Sequence, residues 1–225
     1  MYFCSMPIYL LDENIWFPDE SEYEADIVAV GGDLSPERLI TAYSMGIFPW
    51  YNEPGNLQWW CPVERCVAFA NEYKPSHSMR NVMNKGLYTC TINKCFRKVI
   101  EACREGDRVD NTWIHDEVVD AYCNLHQSGW AHSIEVWQGK ELVGGLYGIQ
   151  LGHAFFGESM FSRKSNASKM AYHHLMTEWN KRGYYLVDCQ VHNEHLESLG
   201  AVLIDRSEFL QRLRVELKFP TAPLK

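Results

Sequence analysis

The stretch AHSIEVWQGKELVGGLYGIQLGHAFFGESMF, residues 131–161, is the part of the sequence that decides the fold. It contains three strand-like runs, at 131–137, 141–150 and 153–161. Runs of this length, rich in β-branched and aromatic residues, are typical of β-strands. Because the joins between them are short, the sequence predicts a meander of three neighbouring strands.

Segments on both sides of this meander show other periodicities. Apolar residues at helical spacing predict helices before and after it, at 96–103, 118–125 and 171–179. Gly129 and Gly183 end the second and third of these helices. The chain that follows is predicted to form a strand, a short helix and a strand, at 184–191, 193–199 and 201–205. This order predicts an α+β fold with a mixed β-sheet flanked by helices.

The N-terminal quarter differs from the rest in its charge. Residues 1–62 hold ten acidic residues and one basic residue, whereas residues 63–110 hold nine basic and six acidic ones. We therefore place a boundary near Pro62, between a small N-terminal domain (1–62) and a catalytic domain (63–225). Within the small domain, Ser35-Pro36-Glu37 predicts a helix start and Gly46 its end. Loop and short extended pieces are expected after that helix, up to Trp60.

Composition excludes several classes of protein. The chain has 225 residues, of which 46% are hydrophobic, and it carries a formal net charge of −8. No run of about 18 apolar residues occurs, and the first residues lack the basic start of a signal peptide. The eight cysteines have no C-x-x-C spacing of the kind found in common zinc sites. We expect a cytoplasmic protein with reduced thiols and no membrane partner.

A carboxylate and an amide lie two residues apart in the strand predicted at 184–191. Since side chains alternate along a strand, Asp188 and Gln190 share one face, and Cys189 lies on the other with Val187 and Val191. Burying Asp and Gln is costly unless they are paired. The pair therefore indicates either a polar site at the sheet surface or a satisfied core network.

Glu158 presents the same problem in the strand at 153–161, where it shares a face with Phe156 and Met160. A carboxylate among such residues is again expensive to bury. It is expected to hold a positive group or a ribose hydroxyl, or else to form an ion pair with Arg163.

Two alternative interpretations involve Cys189, in the strand predicted at 184–191, and the residues that follow that strand. Cys189 beside His192 and His195 suggests a Cys–His nucleophile. Its position on the apolar face favours a small buried hydrophobe instead. His192-Asn193-Glu194 matches half of a zinc deaminase signature, but no P-C-x-x-C follows it.

Two basic segments also have open interpretations. Arg163 to Lys169 forms either an anion site at a helix start or an ordinary capped helix. The second segment carries eight basic or histidine side chains and is either a phosphate-tracking patch or a solvated helix face. Its members are Lys74, His77, Arg80, Lys85, Lys94, Arg97, Lys98 and Arg104.

Taken in order, nine stretches of the sequence closely resemble the bacterial leucyl/phenylalanyl-tRNA–protein transferases. The resemblance runs from about residue 15 to about 213. It is carried by VGGDLSP at 30–36, GIFPWY at 46–51, TWI at 112–114, AHSIEVW at 131–137, LVGGLYG at 142–148, FGESMFSR at 156–163, NASK at 166–169, DCQV at 188–191 and SLGA at 198–201. Any one of these pieces is weakly specific, but the ordered series is highly specific.

The resemblance implies a fold, an activity and partners. The fold is GNAT-like (acyl-CoA N-acyltransferase-like), with a smaller N-terminal domain. The activity is transfer of Leu, and also Phe or Met, from aminoacyl-tRNA to the α-amine of proteins that begin with Arg or Lys. Such products are marked for degradation by the N-end rule pathway, so the degradation machinery is an indirect partner. Neither a metal nor an organic cofactor is implied.

Site residues follow from the same resemblance. Gln190 is expected to contact the acceptor amine, and Asp188 to orient Gln190 and take up charge. The expected substrate contacts are Glu158, Trp50, Trp113, Tyr122, Phe155, Met160, Ser162 and Asn193. Phe155 and Met160 would select the aminoacyl side chain. The expected tRNA contacts are Arg80, Lys85 and Arg163, with His77 and Asn81 standing where the family has basic residues.

Two alternatives remain at this point. One is a GNAT acetyltransferase that uses acetyl-CoA, although the loop at 163–168 lacks the glycines that wrap a pyrophosphate. The other is a tRNA-binding protein without catalytic activity.

Overall fold

The computed structural model describes residues 8–51, 55–105, 112–222 and 224. Its helices are α1 (Pro36–Ser44), α2 (His77–Asn84), α3 (Phe96–Arg104), α4 (Asp116–Gln127), α5 (Ala167–Lys181), α6 (Glu194–Ser198) and α7 (Arg206–Glu216). Its strands are β1 (Tyr9–Leu11), β2 (Ile27–Gly31), β3 (Phe48–Tyr51), β4 (Leu57–Trp60), β5 (Glu64–Phe69), β6 (Thr89–Ile92), β7 (Ala131–Gln138), β8 (Glu141–Leu151), β9 (Ala154–Ser162), β10 (Leu186–Gln190) and β11 (Val202–Asp205).

These strands form two sheets. The smaller has the order β1-β2-β4-β3, and the larger has the order β11-β5-β10-β9-β8-β7-β6. Within each sheet one neighbouring pair is parallel, β1 with β2 and β9 with β10, and the other pairs are antiparallel. The predicted α+β fold, with a mixed sheet flanked by helices, is therefore confirmed.

Most of the predicted elements appear within a few residues of their expected ends. The meander is β7-β8-β9, and the three predicted helices are α3, α4 and α5. The segment expected as loop and short extended pieces is more regular than that, because β3 and β4 pair from Phe48↔Trp60 to Tyr51↔Leu57. Ser35 does stand at the N-cap of α1, but its side chain makes no capping hydrogen bond.

The larger sheet is covered on both faces. Alternation along β9 sends Phe156 into a cluster with residues of α1, α3 and α4, and Phe155 into a second cluster with residues of α5. The first cluster also takes in Trp59 of the smaller sheet. One core thus spans the predicted boundary near Pro62, which itself stays a prediction.

The sheet opens where its parallel strands part. β9 and β10 pair only at Val187↔Phe155 and Asp188↔Phe156, although β9 continues to Ser162. β10 is bulged between Asp188 and Gln190, and Gln190 has a φ of 62°, in the left-handed region. Two strands that separate in this way leave a cleft between them, beside the last residues of β10.

None of the helices in the described ranges is both long and apolar enough to cross a membrane.

Candidate active site

The cleft between β9 and β10 has a volume of about 840 Å³. Its walls come from β3, the loop before α4, β8, β9, α5 and the segment that runs from β10 into α6. Seven of the residues predicted for the site line it, although they are far apart in the sequence: Trp50, Trp113, Phe155, Glu158, Met160, Gln190 and Asn193.

One side of the cleft is apolar. Leu146, Phe155 and Met160 lie on neighbouring strands there, and Leu175 of α5 and Val187 of β10 complete the wall. Gly148 allows this arrangement, because a Cβ at that position would lie 2.1 Å from the Phe156 carbonyl oxygen and 2.6 Å from the Phe155 ring. The wall suits a medium-sized hydrophobic side chain.

Glu158 is the hub of a polar network on the other side. Tyr43 donates a hydrogen bond to Glu158 Oε1 at 2.7 Å, and Tyr122 donates to Oε2 at 2.9 Å. Gln190 Nε2 also donates to Oε1, at 2.8 Å. The two tyrosine hydroxyls are themselves 2.5 Å apart. Three side chains, from α1, α4 and β10, thus meet at the carboxyl group of Glu158 on β9.

Counting protons explains the behaviour of this network. The two tyrosines supply two hydroxyl protons for three contacts, so one contact lacks a proton while Glu158 is ionised. A proton on Glu158 would complete the ring. Desolvation by the surrounding protein raises the pKa of Glu158 to about 7, while the hydrogen bonds from the tyrosines and Gln190 act to lower it. The carboxyl group therefore changes charge near neutral pH.

Asp188 lies beneath the cleft and is fully buried. Arg65 of β5, buried as well, donates to both of its carboxylate oxygens at 2.8 and 2.6 Å. The guanidinium sits over the rings of Phe48 and Phe209, at 4.7 and 4.4 Å. Asp188 Oδ1 also accepts the main-chain N–H of Gln190 at 2.9 Å.

The expected orientation of Gln190 by Asp188 therefore takes a particular form. Asp188 fixes the bulged backbone of Gln190, whereas Glu158 holds its side-chain amide. With Nε2 donating to Glu158, Gln190 Oε1 has no hydrogen-bond partner among the described residues. The amide carbonyl is then available to an amine in the cleft.

Two other predicted substrate contacts are placed differently. Tyr122 is fully buried, so its link to the cleft is the hydrogen bond to Glu158. Ser162 lies outside the cleft lining, donates to the Lys164 carbonyl and accepts the N–H of Ser168 at the start of α5.

Arg163 does not form the ion pair with Glu158 that was one alternative, since it binds Glu105 at 2.7 Å.

The predicted basic segment divides into paired and unpaired cations. Arg97 binds Asp120, and Arg104 binds Asp116. Arg80 and Lys85 are exposed, and neither forms an ion pair within the described part of the chain. Arg80 and Lys85 thus lie unpaired on α2 and at its C-terminal end, and Lys74, Lys94 and Lys98 likewise form no ion pair among the described residues.

Sequence reasoning missed Tyr43 and Arg65. Tyr43 lies 115 residues before Glu158, and Arg65 lies 123 residues before Asp188. No local pattern marks either residue. The prediction of Cys189 as a buried hydrophobe was also wrong in part, because Cys189 is partly exposed and lines the cleft.

The described residues contain no group of three or more His, Cys, Asp and Glu side chains arranged to hold a metal ion.

The solved structures that match this chain share little sequence with it and superpose on it only in part. One is L-PGS from Bacillus licheniformis, with a TM-score of 0.43 and 11% identity over 75% of this chain and 56% of that chain. Another is the aminoglycoside acetyltransferase meta-AAC0020, from an uncultured soil metagenomic sample, with a TM-score of 0.39 and 12% identity. It covers 63% of this chain and 93% of that chain.

Sequence comparisons are far closer. Residues 67–214 match the family model described as leucyl/phenylalanyl-tRNA protein transferase, and residues 32–63 match the model of its N-terminal domain. A transferase of that name from Flavobacterium johnsoniae is 51% identical over 212 residues, 92% of this chain and 99% of its own. One from Desulfatibacillum aliphaticivorans is 47% identical, over 96% of this chain and 94% of its own. The chain belongs to the leucyl/phenylalanyl-tRNA protein transferase family.

Proposed function

We propose that this protein transfers leucine, and also phenylalanine or methionine, from aminoacyl-tRNA to the N-terminal α-amine of an acceptor protein. The acceptors would begin with Arg or Lys, and the modified proteins would be directed to degradation. The observation that carries the proposal is an apolar wall facing the Glu158–Gln190 pair across one cleft, in a chain of this family.

The reaction asks little covalent chemistry of the protein. The aminoacyl ester is already activated, so the task is to hold an amine against its carbonyl carbon. Such positioning supplies roughly 7–11 kcal/mol of a barrier. The amine nitrogen forms a bond to the carbonyl carbon, and the tRNA ribose oxygen leaves with the electron pair of the ester bond.

The amine must lose its proton before it attacks, since a free α-amine has a pKa of about 8. Gln190 Oε1 would accept a hydrogen bond from the amine and aim its lone pair at the carbonyl. Glu158, with its pKa near 7, would provide negative charge close to the ammonium form. Positioned acid–base groups of this kind contribute about 10²–10⁴ in rate.

Substrate selection would divide between the two sides of the cleft. Leu146, Phe155 and Met160 would receive the aminoacyl side chain, and pockets of this type separate near-isosteres by only about 1–3 kcal/mol. Overlap among Leu, Met and Phe follows. Trp50 and Trp113, partly exposed in the cleft, would stack on the terminal adenosine of the tRNA. Arg80 and Lys85 would contact tRNA phosphates.

The preference for a basic acceptor is supported by Glu194. Glu158 and Glu194 are the carboxylates that line the described part of the cleft, and Glu158 already accepts three hydrogen bonds. Glu194 is exposed, and its side chain has no hydrogen bond or ion pair among the described residues. It would therefore be the group that meets the acceptor's guanidinium or ammonium.

Acetyl-CoA transfer receives less support from the start of α5. The Ala167 N–H is bonded to the Lys164 carbonyl and the Ser168 N–H to Ser162 Oγ. A pyrophosphate needs such groups free.

The test is incubation with radiolabelled Leu-tRNA and a peptide that begins with Arg, beside the same peptide N-acetylated. Label on the free peptide alone is the expected result. Absence of label from both peptides, with folded protein and intact Leu-tRNA, would contradict the proposal. A thermal shift with acetyl-CoA in that case would favour the acetyltransferase alternative.

A further inference from the structure

Two cysteine thiols face each other beside the active site. Cys66 lies on β5 and Cys189 on β10, which are antiparallel neighbours with Cys66 opposite Gln190. Cys189 is the residue within the bulge, between Asp188 and Gln190. Both side chains pack into the same hydrophobic cluster, and both thiols are free.

These thiols differ in their access to solvent. Cys66 is fully buried and lies outside the cleft lining, whereas Cys189 is partly exposed and forms part of that lining. A small reagent in the cleft would therefore reach Cys189 first and find a second thiol directly behind it. Other described cysteines that are partly exposed, Cys90 and Cys95, lie outside the cleft.

We propose that Cys66 and Cys189 are a site of reversible oxidation, joined as a disulfide when a peroxide enters the cleft. The linkage rests on the thiol geometry alone, and only its effect on turnover rests on the proposed function.

The step balances with the peroxide as the oxidant. The neighbouring Cys66 side chain and burial raise the pKa of the Cys189 thiol, so Cys189 must give up its proton as it attacks. Cys189 sulfur attacks one peroxide oxygen, the O–O bond breaks, and the proton of Cys189 passes to the departing oxygen, which leaves as water. Cys66 sulfur then attacks the resulting sulfenic acid, the S–S bond forms, and the expelled oxygen departs as water. Two thiols are oxidised and one peroxide is reduced.

A disulfide here would disturb the machinery that the same strands hold. Its S–S bond is about 2.0 Å long, so the two sulfurs must come closer than two free thiols can pack. Cys189 is flanked by Asp188 and Gln190, and Cys66 follows Arg65. Moving the bulge would shift Gln190, and a misplacement of about 1 Å costs on the order of a hundredfold in rate.

The experiment treats the full-length protein with hydrogen peroxide and follows peptide mass and transferase activity. We expect a non-reduced digest in which the Cys66 and Cys189 peptides are linked, with a loss of two hydrogens. Activity should fall by about 10–100-fold and return with dithiothreitol. Cys66→Ala, which leaves the cleft lining intact, should give no link and should accumulate oxygen on Cys189 instead. Cys123→Ala, which removes a thiol from α4, should behave as the unmodified chain.

Two results would overturn the proposal. One is oxygen added to Cys189 of the unmodified chain without any link to Cys66. The other is a disulfide that joins Cys189 to a cysteine other than Cys66. Because the link is read by mass, a protein inactive toward Leu-tRNA would still test it.

Discussion

Glu135 and Glu158 are two glutamates of the same sheet that differ in their hydrogen-bond donors and in their position relative to the cleft. Glu135 is fully buried on β7 and accepts hydrogen bonds from the hydroxyls of Thr91 and Ser133, at 2.5 and 2.6 Å. It also accepts the N–H groups of Lys94 and Cys95, at the start of α3. Three of these donors lie 40 to 44 residues away in the sequence, in β6 and at the start of α3, and Glu135 lies outside the cleft lining.

Glu158 is held by side chains rather than by backbone, and it faces the cleft. Two of its donors are tyrosines whose protons do not suffice for every contact. The comparison shows that an acidic residue in an apolar strand does not by itself indicate a structural or a chemical role. Donors that fully satisfy the carboxylate indicate a structural role, and an incomplete set beside a cavity indicates a chemical one.

The largest effect should come from Glu158→Gln. This change removes the negative charge and the titration at the hub while it keeps the shape of the side chain. We expect kcat/KM for transfer of Leu to an Arg peptide to fall by about a hundredfold, within the range of a positioned acid–base group. Thermal denaturation should show a folded protein. Transfer within twofold of the unmodified chain would place Glu158 with Glu135 as a structural residue.

Glu135→Gln should show the opposite pattern, a loss of stability without a loss of turnover. The new amide would turn N–H groups toward donors that now point at a carboxylate, which leaves buried donors unpaired at the start of α3. We expect a loss of about 2–3 kcal/mol in the free energy of unfolding. Turnover per folded molecule should stay unchanged. Exposed Glu141→Gln, at the start of β8, is the control and should stay within about 0.5 kcal/mol.

The same two glutamates show how much of the site could be predicted from the sequence. Alternation in β9 and β10 marked Glu158, Asp188 and Gln190 as costly to bury but left open whether they form a polar site, and the structure joins them in one network. Glu135 is also an acidic residue in an apolar strand, but it was not among the candidate site residues. What separates the two carboxylates is their donors, and Tyr43 reaches Glu158 from 115 residues away. Pairing over such distances depends on the packing of α1 against the sheet, which no local pattern encodes.

The strand β10 shows a second limit. Strict alternation places Asp188 and Gln190 as equivalent neighbours on one face. The bulge and the positive φ of Gln190 break that equivalence, so Asp188 turns to Arg65 and Gln190 turns to Glu158. A bulge inserts one residue without a characteristic sequence, except where glycine is required.

The dependence of stability on pH should report the titration of Glu158. The folded-state pKa of Glu158 is raised from 4.5 to about 7, so the folded protein keeps a proton that the unfolded chain releases above pH 4.5. Its contribution therefore becomes less favourable as the pH rises from 4.5 to 7. Between pH 5 and 7.5 the unmodified chain should lose about 2 kcal/mol more than Glu158→Gln in urea unfolding. A relative gain over that window would contradict the raised pKa.

The smallest effect should come from Glu194, the unpaired carboxylate at the cleft. Glu194→Gln should raise the KM for an Arg peptide about fivefold with kcat unchanged, since one exposed charge pair contributes no more than about 1 kcal/mol. The loss should shrink in high salt, because exposed charges are screened. A peptide that begins with citrulline, which has the shape of Arg without its charge, should be nearly insensitive to the change.

Glu197→Gln is the matched control for this prediction, because it removes the same charge from the same helix. Glu197 lies outside the cleft lining and pairs with His192 at 3.2 Å. Equal losses of Arg peptide binding in both variants would mean that the acceptor responds to the total negative charge of α6 rather than to Glu194 itself. A loss confined to Glu194→Gln would show instead that Glu158 holds the acceptor amine while recognition of the acceptor side chain falls to Glu194, a carboxylate with no partner among the described residues to give up.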